Sequence, residues 1–477
     1  MESSSLWHRH CWALLLVVGA SGCASLPADH GMGGSLALAA ERGLTVPAAM
    51  SAERMRELLA HSLTAANAVT LALVNNPDTR VMAAELGLAA ADVYDAGRLS
   101  NPVLGLSRLT TNDPAAVAAE TSLSIAVQFT DLLFLRSRSA TAAAHMESKQ
   151  HEVARAMQAL AAQTEKAWLA VVAAEQRLAI QRQIAQAAQA SADLAQRYFD
   201  AGNIPRRALA LEQVTAVEAH LAVSSAEAAV ATVRAQLSRA MGLPMADAWT
   251  VEAGLALPGD DAPSIERLRA EARQQRLDLI AAERDAEAIA TAFRLTQNTQ
   301  LLGDATLGFE VTRETDNTRT RGPSVSLALP LFNWGSGRRA RAESRLQAAE
   351  GRLTGLMLDA EGEIETAYAQ LMAARAQALR YRSELIPLTE TVVDQMQREQ
   401  NFMLIGVFEL ITARREGYEV YGRYIDTLLA YWQARTDLGL AVGRSLGLPP
   451  PATPSPAPEQ AVDDADAHQH HHHHGDH

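Results

Sequence analysis

The chain has 477 residues, 48% of them hydrophobic, and a formal net charge of −13. That acidic balance argues against a nucleic-acid binder, which would carry a basic face. The two cysteines, Cys11 and Cys23, both lie near the N-terminus, so the body of the chain has no cysteine nucleophile, disulfide or Cys-based metal cluster.

His8, Arg9 and His10 precede an apolar run from Cys11 to Ala20 that is too short to span a bilayer and suits a signal-peptide core. Ala20-Ser21-Gly22-Cys23 then resembles a lipobox, in which small residues fit the signal peptidase and the cysteine takes the lipid. Residues 1–22 read as a lipoprotein signal peptide with Cys23 as the lipidation site. The alternative is an ordinary signal peptide with an incidental cysteine. Residues 23–64 form an N-terminal linker. No later segment has the ~20 consecutive apolar residues of a spanning helix, so any membrane crossing must be a closed β-barrel.

Two similar units follow, over 65–250 and 251–448. Asn76-Pro77-Asp78 opens a helix of Ala and Glu in the first, and Arg276-Leu277-Asp278 opens one in the second. Each then runs through a strand pair, a long helix, a Gly-containing turn and another helix to a Gly-Leu-Pro stop. The expected turns centre on Gly202 and Gly406 and the expected stops on Gly242 and Gly447, matching in order and spacing.

Leu123, Ile125, Val127 and Phe129 alternate with small or polar residues, as do Val325, Leu327, Leu329 and Leu331. Leu307, Phe309 and Val311 predict the partner strand of the second pair, joined by a polar turn over 314–319. A looser segment around Thr110 to Pro114 joins the first pair. Four strands cannot close a barrel, because the smallest outer-membrane barrels have about eight. Several chains must therefore share one, and three would contribute twelve strands. The alternative is a small soluble sheet packed on a helix.

The helices predicted from about Ala140 to Ala201 and from Arg341 to Asn401 exceed what a compact core requires. Trp168, Val171 and Leu178, with Ile180 and Ile184, stand at seam spacings for coiled-coil packing. His61, His145, His151 and His220 scatter along helices and read as surface residues. No catalytic constellation or phosphate-binding Gly loop is present, which argues against an enzyme.

Leu329-Pro330-Leu331-Phe332-Asn333-Trp334-Gly335, followed by Arg338-Arg339-Ala340-Arg341, resembles a strand-to-helix signature of the TolC-like outer-membrane efflux protein (outer membrane factor) family. Asn76-Pro77-Asp78 and the stretch from Asn401 to Leu410 are similar to the family too, the latter to its heavy-metal lipoprotein branch. The first repeat departs from the signature, since Gln128 to Leu133 lacks both the Pro and the Gly. The likeness spans about residues 65 to 450.

The resemblance implies a mostly α fold with a β-barrel portion: a homotrimer with a twelve-stranded transmembrane β-barrel, an α-helical barrel through the periplasm and a mixed belt around its middle. It implies a periplasmic adapter protein as partner, an inner-membrane resistance-nodulation-division pump beyond it, and outer-membrane lipid around the barrel.

Gly202, Asn203, Ile204, Ile405, Gly406 and Val407 are the expected adapter-docking tips, against the alternative of plain helix-breaking turns. Glu409, repeated by symmetry, would make an acidic ring, and Arg414 and Arg415 would pair with carboxylates to hold an aperture shut. A solvated helix charge is the plainer alternative for Glu409. The Pro-rich tail, 449–477, reads as disordered. His468, His470, His471, His472, His473, His474 and His477 in it are suited to transient divalent metal binding, unless they are a purification tag. No other cofactor is expected. The functional expectation is an efflux channel for heavy-metal cations. The alternatives are the same channel for drugs or organic toxicants, or a non-conducting coiled-coil envelope lipoprotein.

Overall fold

The computed structural model describes residues 29–47, 50–110, 117–244, 248–251, 254–259, 264–299, 304–329 and 331–447. Cys23, the signal region and the histidine tail lie outside the described residues. Four short helices, α1 (Met32–Glu41), α2 (Ala52–Ala60), α3 (Ala65–Asn75) and α4 (Pro77–Ala96), lead to strands β1 (Val103–Leu109) and β2 (Glu120–Gln128). Helix α5 (Phe129–Asp200) and helix α6 (Arg206–Ala240) complete the first repeat. The second runs α7 (Ile265–Gln275), α8 (Leu277–Thr299), β3 (Ala305–Arg313), β4 (Arg319–Leu327), α9 (Ser336–Arg380), α10 (Ile386–Asn401) and α11 (Val407–Val442). A π-helical turn, Tyr381–Leu385, joins α9 to α10. At 1.5 Å per residue α5 is roughly 110 Å long.

The repeats share their capping chemistry. Thr64 accepts from Asn67 N and Ser264 from Arg267 N, starting α3 and α7 at equivalent places. Asn76 donates to Ala240 O at 2.9 Å, and Arg276 to Ala441 O at 3.1 Å. In both repeats the next helix is thereby tied to the end of the last. Gly242 (φ +67°) packs on the Asn75–Asn76 backbone, and Gly443 (φ +88°) on that of Gln275–Arg276. The structural counterpart of Gly242 is therefore Gly443, and Gly447 is not the helix stop. Arg276, 1% exposed, is the largest fully buried side chain among the described residues. It donates to Asp278 (2.6 Å) and Glu363 (2.6 Å), so its buried charge is paired on two sides.

The first strand-to-helix junction needs no turn. Strand β2 passes straight into α5, with Gln128 in extended conformation as its N-cap. The second does need one: Gly335 caps α9 with φ +78°, in the left-handed region. Strand β4 ends at Leu327, so Leu329 and Leu331 lie beyond it.

The main core forms a belt at mid-height. Trp168, Leu169, Val171 and Val172 of α5 meet Ile364 and Leu371 of α9, and Tyr424, Leu428 and Trp432 of α11. The segments around α3 and α7 wrap this cluster, joined by a parallel bridge between Leu63 and Val251. Trp168 donates to Leu63 O (2.7 Å) and Trp432 to Ala256 O (2.8 Å), pinning these outer segments to the long helices. His151 is buried, not superficial; its ring bonds Glu147 O at 2.8 Å.

Candidate functional site: the strand band and the hairpin tips

The four strands form one antiparallel sheet in the order β1-β2-β3-β4, so the two repeats are joined through β2 and β3. Residues directly opposite in such a ladder share a face. One row runs Leu104, Ile125, Phe309, Pro323, and the next Leu106, Leu123, Val311. Val127, Leu307 and Val325 continue the same face toward the helices. The opposite face carries Gly105, Ser124, Glu310 and Gly322 in one row, and Ser107, Ser122, Thr312 and Thr320 in another. One face is thus a band of aliphatic and Phe side chains, with Leu106 80% and Val325 72% exposed, and the other is small and polar. This is the outward-apolar, inward-polar pattern of a water-filled membrane barrel. Phe332 (98% exposed) and Trp334 (63%) follow on the helix side, where interfacial aromatic residues belong. Among the described residues no helix is long and apolar enough to cross a membrane.

The sheet is open: β1 and β4 each have one unpaired edge, a state that lipid does not tolerate. The helices are open too. They pack in the order α6, α5, α11, then α9 and α10, leaving α6 and α9–α10 as free flanks. On α6, Leu211, Val214, Val217 and Leu221 form an exposed apolar stripe, 54–63% accessible. On α10, Leu388 (63%) and Val392 (53%) are exposed as well.

The hairpin tips sharpen the repeat register. In the first, Gly202 takes the left-handed conformation (φ +75°), with Gly202 N bonded to Phe199 O and Asn203 N to Tyr198 O. In the second, Met403 takes that place (φ +58°), with Met403 N bonded to Gln400 O and Leu404 N to Glu399 O. Gly406 has φ −75° and N-caps α11, as Pro205 does α6. Gly202 therefore corresponds to Met403, and Ile204 to Ile405. The expected pairing of Gly202 with Gly406 was displaced because a glycine in a turn need not be its left-handed residue. Ile204, Ile405 and Val407 are half-buried, whereas Gly202, Asn203 and Gly406 are exposed. The apolar surface of the tip lies just before them, at Phe402 (78% exposed), Met403 (92%) and Leu404 (73%). Sequence reasoning missed this trio, although its run of large apolar residues beside a helix end was visible. Tyr198 and Phe408 meet edge to face at 6.0 Å, bracing one hairpin against the other.

Glu409 is exposed on the first turn of α11. Among the described residues Arg414 forms no ion pair; it donates to Gln397 Oε1 at 2.6 Å. Arg415 is half-buried, its Nε without a hydrogen-bond partner among the described residues. The polar ties between helices instead join Arg177 to Asp426 (α5 to α11) and Tyr421 to Glu390 (α11 to α10). Burial, and then the Glu390 carboxylate, hold the Tyr421 hydroxyl protonated far above the usual phenol range. In the belt, Glu165 borders a cavity of about 100 Å³ with Gln158, Arg435 and Thr436. Burial raises its carboxyl to about 7, against the opposing pull of the Thr436 hydroxyl and Arg435. No cluster of His, Cys, Asp and Glu among the described residues could hold a metal ion.

Residues 68–243 match the sequence profile of the Outer membrane efflux protein family. No curated protein matches the chain in sequence. Solved structures do match its fold. The Campylobacter jejuni CmeC outer membrane channel superimposes with a TM-score of 0.69 at 14% identity, over 83% of this chain and 89% of that one. CusC does so at 0.65 and 15%, over 80% and 92%. The open-state MtrE outer membrane channel of Neisseria gonorrhoeae gives 0.64 and 16%, over 80% and 88%. The four-stranded amphipathic sheet is more than a plain coiled coil would carry. The first repeat thus matches the Outer membrane efflux protein family in sequence, and the chain shares the fold of outer membrane channels over 80–83% of its length.

Proposed function

We propose that three copies of this chain close a twelve-stranded barrel and a continuous helical tunnel, through which a tripartite pump exports heavy-metal cations across the outer membrane. The observation that carries this reading is the open, two-faced sheet. Four strands with one apolar and one polar face can exist in lipid only when neighbouring copies pair their edges. The helix flanks support the same closure. Inside one chain, Tyr418 and Gly422 of α11 are half-buried and buried, where they line a cavity with Ile180 and Gln181 of α5. Their first-repeat counterparts, Val217 and Leu221, are 60% and 63% exposed. A neighbouring copy's α10 would cover them as α5 covers Tyr418 and Gly422.

The Phe402–Leu404 trio is the docking surface for a periplasmic adapter, which links the tunnel to an inner-membrane pump of the resistance-nodulation-division type. The metal assignment draws on the Asn401–Leu410 stretch and the histidine tail. Cys23 carries the lipid anchor, and the histidines of the tail, His468, His470 to His474 and His477, collect divalent ions transiently. Two measurements test the reading. The purified trimer, reconstituted in a planar bilayer, opens an ion-conducting pore, and a protein that never conducts would refute the channel. A deletion strain becomes sensitive to Zn, Cd, Co, Ni, Cu or Ag; sensitivity to dyes and antibiotics alone would move the substrate class to organic compounds.

A further inference from the structure

The outward face of the sheet changes character at its hairpin end. Beyond the apolar rows, the last row runs Arg108, Thr121, Arg313, Arg319, and Arg321 stands beside it opposite Val311. Four guanidinium groups thus share one face, all of them exposed. Adjacent strands lie about 4.8 Å apart, so the row spans roughly 14 Å. Arg313 and Arg319 are direct cross-strand partners, a like-charge juxtaposition that destabilises a ladder unless something compensates it. No Asp or Glu occupies these rows; the nearest ladder carboxylates, Glu120 and Glu310, alternate onto the opposite face. Among the described residues Arg108, Arg319 and Arg321 form no ion pair, and Arg313 Nε donates only to the neutral Asn317 side chain of the turn. In a chain of net charge −13, four arginines without an acid on one sheet face are a local reversal of sign.

Resting on the channel reading above, we propose that this arginine row is a binding site for the phosphate groups of a phosphorylated glycolipid in the outer leaflet. The helices leave the sheet at the other end, so the hairpin end faces the cell exterior and the row lies at the outer lipid–water boundary. Guanidinium forks bind phosphate oxygens in bidentate fashion, which uncharged headgroups cannot reproduce. The row reaches from one sheet edge, at Arg108, to the other, at Arg319 and Arg321. Edge pairing in a trimer would therefore join three rows into a belt of twelve arginines. Bound phosphates then relieve the Arg313–Arg319 repulsion and fasten the seams between subunits on the outside.

The full-length, delipidated trimer in neutral detergent would be titrated with bis-phosphorylated lipid A, with dephosphorylated lipid A, and with inorganic phosphate. Trimer dissociation on heating and fluorescent lipid binding are the readouts. Only the bis-phosphorylated lipid is expected to bind and raise the dissociation temperature. Arg313→Gln/Arg319→Gln should weaken its binding about tenfold or more, whereas Arg207→Gln at the far tip should leave it unchanged. Should the first double variant fail to assemble, Arg108→Gln/Arg321→Gln tests the same row without touching the opposed pair. Equal binding of dephosphorylated lipid, equal stabilisation by inorganic phosphate, or undiminished binding by both double variants would overturn the proposal. Pore conductance, recorded on the same samples, separates the outcomes. A conducting trimer that ignores the phosphorylated lipid refutes the lipid site alone, and a non-conducting one refutes the channel.

Discussion

Replacing Gly242 by alanine would probe the joint at which each helical hairpin closes on the start of its own repeat. The residue has φ +67°, where an L side chain costs about 1–2 kcal/mol. An added Cβ would also stand 2.6 Å from Asn75 O, 2.7 Å from Asn75 C and 2.9 Å from Asn76 N. These are backbone atoms held by the Asn76–Ala240 hydrogen bond, so they cannot swing aside as a side chain could. Relieving such an overlap costs a further ~1–3 kcal/mol, for a total of about 2–5 kcal/mol. Gly202 supplies an internal control. Its φ is +75°, yet no atom lies within 4 Å of the added Cβ, so Gly202→Ala should cost only the conformational ~1 kcal/mol. Gly443→Ala, with Arg276 backbone atoms at 2.9 Å, should resemble Gly242→Ala. Guanidinium unfolding of the three variants in detergent, followed by far-UV circular dichroism, would rank them. If Gly242→Ala cost no more than Gly202→Ala, the close approach at the hairpin base would be wrong.

Three further outcomes are expected. Glu165 has a folded-state value near 7 against about 4.5 unfolded, so the folded protein holds an extra proton between these values and loses stability as pH rises through them. The full displacement corresponds to about 3 kcal/mol, which solvent in the adjoining cavity reduces to roughly 1–2. Glu165→Gln should therefore flatten the stability profile between pH 4.5 and 7 and stabilise the protein at higher pH; an unchanged profile would contradict it. Val217→Glu/Leu221→Glu should prevent trimer formation, since each side chain forfeits about 1–2 kcal/mol of burial and puts a charge into the seam; light scattering that still shows trimers would exclude this flank as the interface. Met403→Gly should raise the unfolding midpoint, by about 1 kcal/mol in free energy, because it removes a left-handed side chain that is 92% exposed.

Much of this protein was legible in its sequence because the signals are local and periodic. Alternation at Leu123, Ile125 and Val127 and at Leu307, Phe309 and Val311 marks strands with one apolar face, and that face is where the ladder places them. Asn76, Thr64 and Ser264 mark helix starts because capping depends on a backbone N–H two or three residues on. The duplication, and with it the impossibility of closing a barrel with one chain, follows from these local marks.

The three-dimensional structure decided what local patterning left open. Gly443, not Gly447, ends the second repeat, because only the former lies against Arg276, more than 160 residues earlier in the chain. Met403 holds the left-handed turn that sequence assigned to Gly406, because the two tip hydrogen bonds stabilise a conformation that glycine favours but does not monopolise. Arg276 is buried although charged, because folding brings Glu363, 87 residues later in the chain, against it. The arginine row was equally hidden. Arg108, Arg313, Arg319 and Arg321 are scattered over two repeats, and only the strand register puts them on one face. Sequence fixes which residues alternate along a strand, but pairing, a long-range choice made by edges and turns, determines which of them become neighbours.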